Sequence, residues 1–134
     1  MRFYVGSSFS NMEEVRFIRD ELKALGHTHT YDWTQNERAA SIDALRSIGE
    51  EEVAGIQSAD FVVILLPGGK GAHVELGIAL GTNKPVFLYD LGDQMMNMEE
   101  TSTFYHVDAV QRCEGQFNDL PRQIQHHVKS SNHV

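Results

Sequence analysis

Glu75 is the acid in this chain whose surroundings best suit it to chemistry. A glycine-rich run, PGGKG at residues 67–71, precedes it and follows an apolar run at residues 61–66. Apolar spacing predicts a helix over residues 72–80, with Glu75 in its first turn, where the helix dipole favours an ionised carboxylate. Such a carboxylate, with glycines around it, can approach an electron-poor carbon closely. A first-turn glutamate that only stabilises its helix is the alternative.

The glycine-rich turn also has two interpretations. The backbone N–H groups of Gly68, Gly69 and Gly71 could cradle a phosphate or a ribose. The same residues could instead form a tight connection between a strand and a helix. The spacing matches neither a Walker A loop nor a GxGxxG motif, and Lys70 is expected to lie in solvent.

Three further side chains could contribute to a site. Tyr4 falls late in an apolar run and could point into a pocket or into the core. Trp33, the only tryptophan, could stack on a nucleobase or anchor its polar loop. Glu52 ends an acidic run and lies about two helical turns before Asp60, which we interpret as structural. The histidines lack convincing metal spacing, so we expect no metal and no other cofactor.

Alternating strand and helix patterns must position these residues. We predict strands at residues 2–5, 28–31, 61–66 and 86–89, with a possible fifth at 109–112. Helices are predicted at 11–25, 41–58, 72–80 and 117–128, with Asn11 as a cap and Gly26 as a C-terminal stop. The second helix has candidate core positions at Ile42, Leu45, Ile48, Val53 and Ile56. Residues 91–102 show no clear period and are predicted to form a long loop.

This alternation predicts one α/β domain over residues 1–134, Rossmann-like or flavodoxin-like, with residues 129–134 frayed. We expect a parallel sheet of four to five strands in the order 2-1-3-4-5, with helices on both faces. That order puts the topological switch between strands 1 and 3, where ligands bind. Both strands end in small residues, Gly6, Ser7 and Ser8 after the first and the glycine-rich turn after the third. The pocket should therefore open between these two turns.

Composition excludes several classes of function. A net charge of -8 argues against a nucleic-acid binder, which needs a basic face. The single cysteine, Cys113, excludes an internal disulfide and a multi-cysteine metal site. No secretory signal or membrane-spanning run is visible, so we expect a cytoplasmic protein with no membrane partner.

The combined pattern resembles the nucleoside 2-deoxyribosyltransferase family, which includes related deoxynucleotide N-glycosidases. The matching segments are FYVGSSF at residues 3–9, TYDW at 30–33 and SADFVVILLPGGKGAHVELGIALGTNKPV at 58–86. The resemblance implies that Glu75 attacks C1′ of a nucleoside or nucleotide and displaces the base, and that Tyr4 orients it. It also implies a homo-oligomer with shared active sites, for which the loop at residues 101–105, with Ser102, is our candidate segment.

Two departures from the family pattern bear on the activity. Glu52 stands where the family has an aspartate, and Gly69 stands where transferases carry an acid and nucleotide hydrolases a serine. Gly69 supplies only backbone, so a non-catalytic nucleotide-binding or sensor module is an alternative. An NAD glycohydrolase-like activity, as in TIR domains of related fold, is another.

Overall fold

A single parallel sheet organises the molecule, and the computed structural model describes residues 1–131. Its strands are β1 (Arg2–Gly6), β2 (Thr28–His29), β3 (Phe61–Leu66), β4 (Val86–Asp90) and β5 (Val110–Arg112). The helices are α1 (Met12–Ala24), α2 (Ile42–Gln57), α3 (Lys70–Gly81) and α4 (Leu120–Ser131). Short 3-10 turns lie at Phe9–Asn11, Trp33–Gln35, Thr103–Tyr105 and Phe117–Asp119.

The strand order is β2-β1-β3-β4-β5, and all four pairings are parallel. This confirms the predicted flavodoxin-like order. The connection from β1 leads to β2 at one edge of the sheet, and the next connection passes over β1 in the opposite direction to reach β3. Right-handed crossovers therefore put α1 on one face of the sheet and α2 and α3 on the other. Consistently, α2 packs against α3, and α1 packs against α4.

The core lies on both faces of the central strand β3, whose six residues are all buried. A parallel strand covered on both sides is apolar throughout, as the run FVVILL is. Gly26 has a φ of 96° and ends α1, as predicted. Within residues 1–131, none of the helices is both long and apolar enough to cross a membrane.

The prediction for the inner face of α2 was wrong. Of its five candidate core positions only Ile56 is fully buried, whereas Ile42 is 72% exposed, Leu45 56% and Val53 37%. Val74 on the adjacent helix α3 is also exposed. The apolar residues of α2 do recur at helical spacing, but most of them lie on a side of the helix that faces solvent and not the sheet. The surface formed by Ile42, Leu45, Val53 and Val74 is called the α2/α3 apolar surface below.

Several element boundaries differ from the prediction. β2 ends at His29, two residues early, because the chain turns into the Trp33–Gln35 segment. α3 begins at Lys70 rather than at residue 72, with Gly69 as its N-cap. α4 continues to Ser131, so residues 129–131 take helical backbone where fraying was expected. Fraying was also expected at residues 132–134, which lie outside the described residues.

Candidate active site

Three side chains from three elements meet at the switch point between β1 and β3. The Tyr4 hydroxyl, on β1, donates a hydrogen bond to Oε2 of Glu75 on α3. The same hydroxyl lies 3.4 Å from Oε2 of Glu52 on α2. Glu75 is 6% exposed and Tyr4 is fully buried, while Glu52 is half-buried. The sequence-predicted catalytic residues are therefore brought together, with Tyr4 between the two carboxyl groups.

Two glycines make room for this arrangement. A Cβ at Gly6 would lie 2.9 Å from Cδ1 of Ile64 and 3.1 Å from Oε1 of Glu75. A Cβ at Gly55, on α2, would lie 2.9 Å from Cβ of Tyr31 and 3.3 Å from the Tyr4 ring. Gly6 thus lets the Glu75 carboxyl approach β1, and Gly55 lets α2 approach Tyr4. The close approach of backbone to a functional group is a common reason for glycine.

Burial dominates the electrostatics of the site. It raises the pKa of Glu75 from 4.5 to about 8, and the nearby Glu52 adds to this effect while the hydrogen bond from Tyr4 opposes it. Burial also raises the pKa of Glu52. The pKa of Tyr4 is raised by its burial and by Glu75, so its hydroxyl remains a donor. At neutral pH the two carboxyl groups therefore hold a proton between them.

The expectation that Glu75 is ionised and lies in the first turn of its helix was wrong on both points. Because α3 begins at Lys70, Glu75 lies in the second turn, where the field of the helix N-terminus is weaker. Desolvation of the carboxylate outweighs that remaining field. Glu75 is therefore a buried polar residue that does not cap its helix.

The turn after β1 is fixed to the end of β3 by side chains. The Ser7 hydroxyl donates to the Leu65 carbonyl at 2.8 Å. The Asn11 side-chain amide donates to the Ser7 hydroxyl and to the Pro67 carbonyl, both at 3.0 Å. Asn11 was predicted as a helix cap, and it does occupy the N-cap of α1, but its side chain makes no capping bond. It joins the two turns that border the site, a role that its sequence position did not reveal.

The glycine turn, residues 67–71, has little side-chain cover. A Cβ at Gly68 would lie 2.8 Å from Cβ of Ala72, so this position needs glycine. Added Cβ atoms at Gly69 and Gly71 would meet no atom within 4 Å. Gly69 is therefore open toward solvent.

Trp33 and Phe9 form an aromatic pair beside the turn after β1. The indole N–H of Trp33 donates to the Val5 carbonyl at 2.7 Å, and the side chain is only 6% exposed. This geometry favours the loop-anchor alternative over base stacking by Trp33. Phe9 packs edge-on against Trp33 at 5.6 Å and is 75% exposed. Phe9 was not singled out by sequence reasoning, and its place within the FYVGSSF segment is the signal that could have found it.

The remaining predicted binding residues make local contacts. The Ser8 and Ser10 hydroxyls lie 2.7 Å apart. The Ser102 hydroxyl accepts from the Phe104 N–H at 3.2 Å and caps the Thr103–Tyr105 turn. Their contribution to ligand binding stays a prediction.

Comparison with known proteins places this geometry in a family. A family model described as nucleoside 2-deoxyribosyltransferase matches residues 4–125, which include Tyr4, Glu52 and Glu75. The chain belongs to the nucleoside 2-deoxyribosyltransferase family. Membership indicates a nucleoside-modifying enzyme of the transferase or N-glycosidase type. A search of curated proteins found no match.

Three solved structures have a similar fold. A CMP N-glycosidase from Clostridium botulinum has a TM-score of 0.66 at 12% identity, over 93% of this chain and 99% of that one. A 2-deoxyribosyltransferase from Bacillus psychrosaccharolyticus has a TM-score of 0.64 at 21% identity, over 90% of each chain. A conserved protein from Enterococcus faecalis V583 has a TM-score of 0.64 at 15% identity, over 95% of this chain and 98% of that one. At these identities the likeness supports the fold.

Proposed function

We propose that the protein cleaves or transfers the N-glycosidic bond of a nucleoside or nucleotide through a covalent glutamyl-sugar intermediate. The single observation that carries the proposal is the buried contact among Tyr4, Glu75 and Glu52 at the switch point. A buried carboxyl with a strongly raised pKa, held by a tyrosine, is typical of a functional site. Nothing in the packing of the core requires it.

In the proposed first step, an oxygen of the Glu75 carboxylate forms a bond to C1′ of the sugar. The bond from C1′ to the base nitrogen breaks, and its electron pair leaves with the base, which takes up a proton. In the second step, a second base or a water molecule attacks C1′ and gives up a proton to Glu52, while the bond between C1′ and the Glu75 oxygen breaks. Tyr4 is a positioning residue in this scheme, because its hydroxyl fixes Oε2 of Glu75.

Glu52 is the proposed auxiliary acid/base. Glu75 must lose its proton before it attacks, and the second carboxyl, which also lies near the Tyr4 hydroxyl, is the nearest acceptor in the site. A proton moved to Glu52 is then available to the departing base. The long glutamate side chain therefore supports the role that an aspartate has elsewhere in the family.

We also propose that the protein is a homo-oligomer in the cytoplasm, at least a dimer. The α2/α3 apolar surface supports assembly, because a second copy of the chain could cover its four exposed aliphatic side chains. It lies on the helices that carry Glu52 and Glu75, so a second copy seated there would approach the site. The exposed Phe104 supports the loop at residues 101–105 as a second candidate contact.

The decisive test of the chemistry is Glu75→Gln, assayed for base release on a panel of deoxynucleosides, deoxynucleotides and NAD. Loss of the nucleophile should lower the rate by several orders of magnitude. Mass spectrometry of the wild type mixed with substrate should show an added deoxyribosyl group that the variant lacks. Wild-type turnover retained within tenfold in the variant would contradict the proposal.

The same variant supplies its own control for folding. Between pH 4.5 and about 8 the folded protein holds a proton on Glu75 that the unfolded chain releases, so this group destabilises the fold as pH rises through that range. Glutamine carries no charge and avoids this cost. At pH 8 the variant should therefore unfold at a higher denaturant concentration than the wild type, while at pH 4 the difference should vanish.

A nucleotide-binding sensor is the second candidate function, and Gly69 is the observation that favours it. The open turn at Gly69 can admit a ligand while supplying no side chain to assist base departure. Tight binding of one nucleotide without base release, measured by calorimetry on the wild type, would favour the sensor over the enzyme.

A further inference from the structure

His73 hydrogen-bonds two segments that border the active site. Its Nδ1 lies 2.8 Å from the Gly69 carbonyl oxygen, and its Nε2 lies 2.5 Å from the Tyr105 hydroxyl. A carbonyl can only accept, so in the neutral ring Nδ1 carries the proton and donates to Gly69, while Nε2 accepts from Tyr105. One ring thus contacts both the glycine turn and the segment that follows β4.

The segment at residues 91–105 is attached to the glycine-turn region at both ends. At its start, the Leu91 N–H donates to the carbonyl of Leu66, the last residue of β3, at 2.7 Å. At its end, Tyr105 is fully buried, and its ring packs against His73 with centroids 5.7 Å apart. The two ends therefore bracket the turn, and His73 provides the second attachment.

The hydrogen bond from the His73 ring restrains the backbone of Gly69. Glycine has the widest conformational freedom of any residue, so a turn with three glycines costs much entropy to order. The Gly69 carbonyl accepts the main-chain N–H of His73 at 3.2 Å, and the His73 ring adds a second bond to the same oxygen at 2.8 Å, which further restrains the Gly69 backbone in the free protein. If the turn is already in its binding conformation, ligand binding does not have to offset the entropy lost in ordering it.

We propose that His73 is a positioning residue, which holds the Gly69 backbone in one conformation and joins it to the segment at residues 91–105. The ligand class, a nucleoside or nucleotide, rests on the proposed function; the coupling of the two segments does not. Each hydrogen bond of the ring should contribute about two- to tenfold to KM, the usual net effect of one such bond. The effect on kcat should be smaller, because neither Gly69 nor Tyr105 attacks C1′.

Three variants separate the two hydrogen bonds. In His73→Asn the shorter amide reaches the position of Nδ1 and keeps the bond to Gly69, whereas in His73→Gln the longer amide reaches that of Nε2 and keeps the bond to Tyr105. Tyr105→Phe removes only the hydroxyl. His126→Asn, at an exposed histidine on α4, is the matched control.

Amide hydrogen exchange on the full chain without ligand is the first measurement. We expect His73→Gln to exchange faster at residues 67–73, and His73→Asn and Tyr105→Phe to exchange faster at residues 91–105. The amides of β3 should stay protected in all three variants. Unchanged exchange in both segments, or faster exchange that extends into β3, would overturn the inference.

The second measurement is steady-state kinetics of the wild type and the variants, with a substrate that the wild type turns over. KM should rise two- to tenfold in each variant with kcat within about twofold, and the control should match the wild type. A fall in kcat at constant KM would contradict a positioning role. If the wild type releases no base at all, the proposed function fails, and the exchange result alone still decides the inference on His73.

Discussion

At the scale of single residues, the position of one proton sets the chemistry of the site. Burial keeps a proton on the Glu75 carboxyl at neutral pH, and Tyr4 and Glu52 shift that equilibrium in opposite directions. The Tyr4 hydroxyl stabilises the carboxylate, whereas the second carboxyl disfavours it. The pH profile of the enzyme should report these two contributions separately.

We expect kcat/KM for base release to fall as pH rises through the Glu75 pKa of about 8, since the proton that the two carboxyl groups hold is the one that Glu52 delivers to the departing base. Tyr4→Phe removes a bond that stabilises the carboxylate, so its midpoint should move to higher pH. Glu52→Gln removes the carboxyl that delivers this proton, so the decline near pH 8 should disappear. The measurement is kcat/KM between pH 5 and 10 for all three proteins. Midpoints that coincide would show that the profile reports a different group.

The residues of the site were only partly predictable from sequence. Glu75 could be found because a glycine turn and a helix pattern surround it, and Tyr4 and Glu52 followed from the family resemblance. Asn11 could not, because a side chain that joins two turns has no local pattern. The protonated state of Glu75 depends on burial by elements distant in sequence, which no spacing encodes.

At the scale of elements, the turn from β3 into α3 is the feature that bears most on the proposed handling of the substrate. Gly69 is the N-cap of α3 with extended backbone, at φ −89°, and a Cβ there would meet open space. An ordinary residue can therefore replace this glycine without strain. The sequence placed the start of α3 two residues late because glycine and lysine are not strong signals for a helix start.

Gly69→Asp should consequently fold and should raise base release from deoxynucleosides at least tenfold, because an acid at this position can protonate the leaving base. Gly69→Asn is the matched control, since it has the same shape and cannot donate a titrating proton. Base release with and without an acceptor base is the measurement for both variants. An aspartate at an N-cap also stabilises a helix, so a higher Tm in both variants without a faster rate would show capping alone.

At the scale of the whole molecule, the fold was predictable and the surface was not. Strand order follows from the alternation of strands and helices together with the handedness of crossovers, and both are local properties of the chain. The apolar period of α2 predicted a buried face, but a period alone does not say whether the sheet or another molecule covers that face. Ile42 and Leu45 are exposed in the single chain, and the proposed assembly would cover them.

We expect the wild type to be at least a dimer at micromolar concentration by light scattering, with Leu45→Asp shifted toward monomer. Leu45 is 56% exposed in the single chain, so a charge there should change monomer stability little. Phe104→Asp tests the loop at residues 101–105 in the same way and serves as the matched comparison. A monomeric wild type would contradict the assembly, and dissociation by Phe104→Asp alone would assign the interface to the loop.

The anchoring of Trp33 has a practical consequence for spectroscopy. The chain holds one tryptophan, its indole is fixed by Val5, and the exposed Phe9 ring lies 5.6 Å from it beside the expected pocket. A nucleobase that stacks on Phe9 should quench or shift the emission of this indole, with no background from a second tryptophan. Titration of Glu75→Gln would then give dissociation constants under conditions in which no bond is broken. The protein thus carries an intrinsic fluorophore by which nucleosides, nucleotides and NAD can be ranked as ligands, independently of catalysis.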